Sequence, residues 1–119
     1  MSRTQPDGTP SPQERIDELR RRIDELDEQL VVLLNARAGC ALEIGRLKHQ
    51  VALEVYQPDR EADVLRHVRA KNHGPLGPDA ITRLFERVID EARRLERVGD
   101  EQPEDRDRRD GAGTDGSNG

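Results

Sequence analysis

The sequence predicts an all-α protein whose protomer has three helices, the first of them very long. Apolar residues recur every three or four positions, and every proline lies outside these periodic segments or at their starts. Only 2% of the residues are aromatic and 32% are hydrophobic. The core is therefore expected to be aliphatic and arranged in stripes along amphipathic helices.

The first helix is predicted to begin at Ser11–Pro12. Ser11 can act as the N-cap, Pro12 suits the first helical position, and Glu14 completes a capping box with Ser11. No proline follows before Pro58, so the helix is predicted to cover roughly 40 residues, or about 60 Å at 1.5 Å per residue. Its stripe consists of Ile16, Leu19, Ile23, Leu26, Leu30, Leu33, Cys40 or Ala41, Ile44, Leu47 and Val51.

Two shorter helices are predicted to follow. The second runs from Pro58 to about Asn72, where an Asn-His-Gly-Pro sequence breaks the pattern. The third runs from Pro78 to about Val98 and stops at Gly99. Their apolar positions are Leu65 and Val68 in one, and Ile81, Leu84, Phe85, Val88, Ile89, Ala92 and Leu95 in the other.

These helices form one predicted domain, residues 11–98, between two tails. Residues 1–10 and 99–119 are polar or charged, contain Gly and Pro, and are predicted to be disordered. Two short helices cannot cover a helix as long as the first, so a second copy is expected to lie antiparallel against it. The sequence thus predicts an intertwined antiparallel homodimer.

Composition argues against several classes of protein. The net charge of −5 and the mixing of Arg with Asp and Glu disfavour a nucleic-acid partner. The single cysteine, Cys40, cannot form an internal disulfide, and no apolar run suits a signal peptide or a membrane span. Neither Cys40 nor the histidines have metal-ligand spacing, so no metal site is expected. We therefore expect a cytoplasmic protein without a membrane partner.

Two cations, Arg37 and Lys48, stand where the stripe of the first helix calls for apolar residues. They are eleven residues apart, which is close to three helical turns, so they are predicted to point the same way. Burial of both requires acidic side chains or an anionic ligand as partners. The alternatives to a ligand-binding role are that these cations form internal salt bridges or that their side chains reach solvent.

Arg20 and Glu96 are further candidates. Arg20 lies roughly 25 Å along the helix from Arg37, so it can share a small ligand only from the second chain of an antiparallel dimer. Otherwise it is a solvated charge. Glu96 shares the apolar face of the third helix, where a protonated carboxyl group could donate a hydrogen bond. The alternative for Glu96 is a frayed surface residue near the helix end.

Five segments carry a recognisable pattern: LRxxIDxLD from Leu19, LLxxR from Leu33, EIGxxK from Glu43, YxPxRE from Tyr56 and IxxLF from Ile81. Their order and spacing over residues 14–98 resemble the all-helical, AroQ-class chorismate mutase domain. The resemblance implies an intertwined dimer with two equivalent sites. It also implies rearrangement of the dicarboxylate chorismate to prephenate, in aromatic amino acid biosynthesis, without a metal or cofactor.

By this resemblance, Arg37 and Arg20 of the partner subunit would clamp the substrate carboxylates. Lys48 would bind a carboxylate and the ether oxygen, where negative charge grows as the ether bond breaks. Glu96 would donate to the same oxygen when protonated. Lys48, Glu96 and Arg37 are therefore the predicted catalytic residues.

The resemblance places three more residues around the substrate. Glu61 would accept a hydrogen bond from the ring hydroxyl, Arg60 would support the pocket wall, and Gln57 replaces an Asp found in some members. Ala92 replaces a Ser of some members. These departures leave 4-amino-4-deoxychorismate mutase or isochorismate pyruvate lyase activity open, and a noncatalytic helical dimer is the alternative from another class.

Overall fold

The computed structural model describes residues 4–100, which contain three α-helices: α1 (Pro12–Val51), α2 (Pro58–Lys71) and α3 (Pro78–Asp100). The predicted all-α class and the long first helix, which has 40 residues, are confirmed. The chain forms two compact units that meet in sequence between Arg37 and Ala38. None of the described helices is both long and apolar enough to cross a membrane.

The first unit begins with a turn over residues 4–10, a segment predicted to be disordered. The turn forms because Gly8 adopts a positive φ of 89° and the Gln5 N–H donates to the Thr9 carbonyl at 2.8 Å. The Asp7 carboxylate accepts from the Thr9 hydroxyl at 2.7 Å, and this hydrogen bond lowers the pKa of Asp7. Residues 1–3 of the predicted tail lie outside the described residues.

The capping box at the start of α1 is confirmed. The Glu14 N–H donates to the Ser11 hydroxyl at 3.2 Å, and the Ser11 N–H donates to the Glu14 carboxylate at 2.9 Å. Beyond this start, every large apolar residue from Ile16 to Leu34 is at least 42% exposed in the single chain. The apolar stripe of this unit is therefore available for contacts outside the chain.

In the second unit the end of α1 packs closely on the end of α3. A Cβ atom on Gly45 would lie 2.8 Å from the Cα of Glu96, and one on Gly99 would lie 3.3 Å from the backbone N of Arg46. Only glycine fits at such a crossing. The prediction that α3 stops at Gly99 was wrong, because this glycine permits a close helix contact and the helix continues to Asp100. Residues 101–119 of the predicted tail lie outside the described part.

The end of α1 is a Schellman motif, in which the backbone turns out of the helix through a left-handed residue. Ala52 takes that conformation, with φ of 59°. The Leu53 N–H donates to the Lys48 carbonyl at 2.9 Å, and the Ala52 N–H donates to the His49 carbonyl at 3.4 Å. The chain then reaches α2, which begins at Pro58 as predicted and has its C-cap at Asn72.

Candidate active site

Lys48 is the one charged residue that is buried among the described residues. Its ammonium group donates to Oε1 of Glu96 at 2.5 Å and to the Val55 carbonyl at 3.3 Å. The internal salt bridge that the sequence left open as an alternative is therefore present. The side chain of Glu96 is only 15% exposed. The alternative prediction, that Glu96 is a frayed surface residue near the helix end, was therefore wrong.

The backbone crossing explains why these two side chains meet. Gly45 lies one turn before Lys48 in α1, and Gly99 lies one turn after Glu96 in α3. Each glycine lets the opposite backbone approach closely, which shortens the gap that the two charged side chains must span. The local sequence thus holds an ammonium and a carboxyl group together in a largely desolvated setting, where charges interact strongly.

A second ion pair joins α2 to α3. The Arg93 guanidinium donates to both oxygens of Glu61: from Nε to Oε2 at 3.1 Å, and from Nη2 to Oε1 at 2.7 Å and to Oε2 at 2.6 Å. Its central carbon also lies 4.9 Å from the centre of the Tyr56 ring, a cation–π distance. The hydrogen bonds to Glu61 are the main cause that raises the pKa of Arg93.

A cleft of about 540 Å³ opens beside Lys48. Its wall includes the Schellman turn and the segment that leads to α2, and Arg97 of α3 supplies a second cation. The lining residues are Lys48, His49, Ala52, Leu53, Glu54, Val55, Tyr56 and Arg97. The cleft is large enough for a small molecule. Its lining carries two cations, Lys48 and Arg97, and one carboxylate, Glu54, and an anionic ligand that binds Lys48 has to compete with Glu96.

The other predicted site residues differ in exposure. Arg20, in the first unit, and Arg60, in the first turn of α2, are exposed. Arg37 is half-buried, and its side chain forms no hydrogen bond or ion pair with any residue in the described range. Gln57 is half-buried at the N-cap of α2, where its side chain makes no capping hydrogen bond. Within residues 4–100 no cluster of His, Cys, Asp and Glu is arranged to hold a metal ion.

Sequence reasoning missed Arg93, Arg97 and the carbonyl of Val55. Arg93 precedes Glu96 by three positions, so the sequence alone places it close to the face of α3 that carries Glu96. Its pairing with Glu61 was not predictable, because the two are 32 residues apart and on different helices. No local pattern predicts which carboxylate such an arginine will meet.

Comparison with known proteins places the chain in a family. Residues 19–97 match the model of the family described as chorismate mutase type II, and they fall within the predicted domain. A bifunctional chorismate mutase/prephenate dehydratase from Pseudomonas aeruginosa is 40% identical over an alignment of 89 residues, and the match covers 71% of this chain and 24% of that protein. The chain thus spans about a quarter of the length of such curated relatives.

Two solved structures are similar over most of their own length. A chorismate mutase from Thermus thermophilus superposes with a TM-score of 0.68 at 35% identity, covering 70% of this chain and 94% of that one. A chorismate mutase from Helicobacter pylori in complex with prephenate superposes with a TM-score of 0.64 at 27% identity, covering 71% and 91%. The chain therefore belongs to the chorismate mutase type II family.

Proposed function

We propose that this chain catalyses the rearrangement of chorismate to prephenate. The observation that carries the proposal is the buried ammonium of Lys48, which lies against Glu96 at the wall of a cleft that also contains Arg97. The reaction breaks an ether bond and forms a carbon–carbon bond within one molecule. It is accelerated by holding a compact conformation and by donors at the oxygen on which charge accumulates.

Lys48 and Glu96 act on that oxygen. Glu96 accepts a hydrogen bond from Lys48. Glu96 can donate to the ether oxygen only as the protonated acid, so binding of a dicarboxylate requires that Glu96 take up one proton from solvent. Lys48 is then released to bind a substrate carboxylate and the ether oxygen, while Glu96 donates to the same oxygen. The backbones that carry the two groups need no further ordering, because the crossing of α1 and α3 already holds them, and only the side chains change partners.

The substrate carboxylates are clamped by arginines. Arg37 is half-buried and has no partner among the described residues, so an incoming carboxylate costs it no existing ion pair. Arg20 of the partner subunit completes the clamp. Glu61 accepts a hydrogen bond from the ring hydroxyl. Arg60 and Gln57, at the start of α2, contribute to the wall of the substrate pocket, although neither lines the cleft beside Lys48. These roles rest on the motifs that the chain shares with its family.

The site is completed by dimerisation. The apolar residues of α1 are exposed in the single chain, among them Leu30 at 54% and Leu33 at 65%. A stripe of this length would make an isolated protomer prone to association. A second copy that lies antiparallel buries the stripe and carries its own Arg20 to the site of the first chain. The protein is proposed to be a cytoplasmic homodimer of aromatic amino acid biosynthesis.

Turnover of chorismate tests the proposal. Purified protein is incubated with chorismate between pH 5 and 8, and prephenate is detected after its acid conversion to phenylpyruvate. The expected result is prephenate formation in proportion to enzyme concentration. A folded dimer that forms no prephenate at any pH in this range would contradict the proposed activity and favour a noncatalytic helical dimer.

A further inference from the structure

Arg93 has no role in the proposed reaction, although its side chain forms more hydrogen bonds than that of any other arginine among the described residues. Three hydrogen bonds join it to Glu61, and its charge lies over the ring of Tyr56. Both members of the Glu61–Arg93 pair are 24% exposed, whereas the next arginine, Arg94, is 71% exposed. A planar guanidinium held by two carboxylate oxygens and a ring face has little freedom to swing away.

The pair changes what Glu61 can bind. A carboxylate has about four sites for hydrogen-bond donors, and Arg93 occupies three of them. One site remains, which matches the single donor of a hydroxyl group. A protonated amino group carries three donors and finds too few acceptors here.

The pair also changes the charge of this part of the site. A lone Glu61 would attract a cation, but with Arg93 the unit is neutral. Asp90 is a further carboxylate near Arg93, and its Oδ1 lies 3.7 Å from Nη1 of Arg93. The two oxygens of Glu61 are bound by a different nitrogen, Nη2. The side chain of Asp90 is 56% exposed, so solvent screens its charge. The guanidinium of Arg93 would therefore offset most of the attraction that Glu61 exerts on a positively charged substituent, while a neutral hydroxyl group loses nothing.

We propose that Arg93 is a specificity-determining residue, which acts through Glu61 to select a ring hydroxyl over a positively charged amino group. The inference rests on the proposed function, in which Glu61 contacts the substituent of the ring. It assigns the chain to hydroxyl-bearing substrates rather than to their amino-substituted analogues. Arg93 is a positioning residue in this role, because it touches Glu61 and not the substrate.

The test compares chorismate with 4-amino-4-deoxychorismate, in which an amino group replaces the ring hydroxyl. For each variant, kcat/KM is measured for chorismate, and the amino compound is measured both as a substrate and as a competitive inhibitor. The ratio of the two specificities is the readout, because it does not depend on the fraction of protein that is folded. Arg93→Gln and Arg93→Met remove the charge, Arg93→Lys keeps it, and Arg94→Gln is the matched control on the exposed face.

We expect the neutral Arg93 variants to shift the ratio about tenfold toward the amino compound. Arg93→Lys should shift it much less, and Arg94→Gln should leave it unchanged. An unchanged ratio in both neutral variants, or an equal shift in Arg94→Gln, would overturn the inference. If the wild-type protein turns over neither compound, the proposed function fails, and the dissociation constants of the two compounds, measured by calorimetry, supply the same ratio and decide the role of Arg93.

Discussion

The ammonium of Lys48 lies 2.5 Å from Oε1 of Glu96, across a crossing of α1 and α3 that has a glycine on each side. Gly45 faces the backbone of Glu96, and Gly99 faces the backbone of Leu42. The two catalytic candidates and the two glycines thus form one structural unit, in which helix packing sets the distance between the charged groups. The first prediction tests that dependence.

Gly45→Ala should destabilise the protein by about 1–3 kcal/mol, because the new methyl group collides with the backbone of Glu96 and forces the helices apart. Gly39→Ala is the matched control on the same helix, since a Cβ there meets no atom within 4 Å. The control should gain about 0.5–1 kcal/mol from better helix propensity. Urea unfolding measures both. A Gly45→Ala protein at least as stable as the wild type would contradict the close approach of the Glu96 backbone to Gly45.

Glu96 should act as a hydrogen-bond donor to the ether oxygen. Glu96→Gln carries an amide donor and should retain turnover of chorismate, whereas Glu96→Met has a similar length but cannot donate and should lower kcat/KM by about 100-fold. Glu86→Gln, an exposed position of the same helix, is the control and should match the wild-type protein. Equal kcat/KM in folded Glu96→Gln and Glu96→Met proteins would remove Glu96 from the mechanism.

Arg20 and Arg37 should complement each other across the dimer. The variants Arg20→Ala and Arg37→Ala are each expected to be inactive, because every site lacks one carboxylate clamp. After the two are mixed and refolded together, the heterodimer carries one site with both arginines, and about a quarter of wild-type activity should return if chains pair at random. Mass spectrometry of differently labelled chains verifies the exchange. If exchanged dimers recover no activity, Arg20 and Arg37 do not form a site across the two chains: either both belong to the site of one chain, or at least one lies outside the site.

Much of the fold was predictable because its signals are local. Ser11 and Glu14 are three residues apart, and their capping box marks the start of α1 directly. Pro58 and Pro78 mark the starts of α2 and α3 in the same way. Gly99 was misread because a glycine at the end of a helix also serves close packing, and only the contact with Leu42 distinguishes the two uses.

The sequence predicted which residues belong to the site better than it predicted which of them contact each other. The interrupted stripe identified Lys48, and the apolar face of α3 identified Glu96, but they are 48 residues apart in the chain. Their contact depends on how two helices cross, which periodicity does not specify. The pairing of Glu61 with Arg93 lies beyond local patterns for the same reason.

The central claim is that the buried ammonium of Lys48 stabilises charge on the substrate, and Lys48→Met tests it most directly. Methionine keeps much of the side-chain volume but cannot donate a hydrogen bond. Because the substitution also leaves Glu96 unpaired, Lys48→Met/Glu96→Gln is measured beside it to restore a neutral pair of side chains and part of the lost stability.

The decisive measurement is kcat/KM for chorismate in folded dimers of the wild-type and Lys48→Met/Glu96→Gln proteins. We predict a loss of at least about 100-fold in the double variant, the usual cost of removing a donor from a developing negative charge. Activity within a factor of about three of wild type, with the dimer intact, would contradict the assignment of Lys48 to the reacting oxygen.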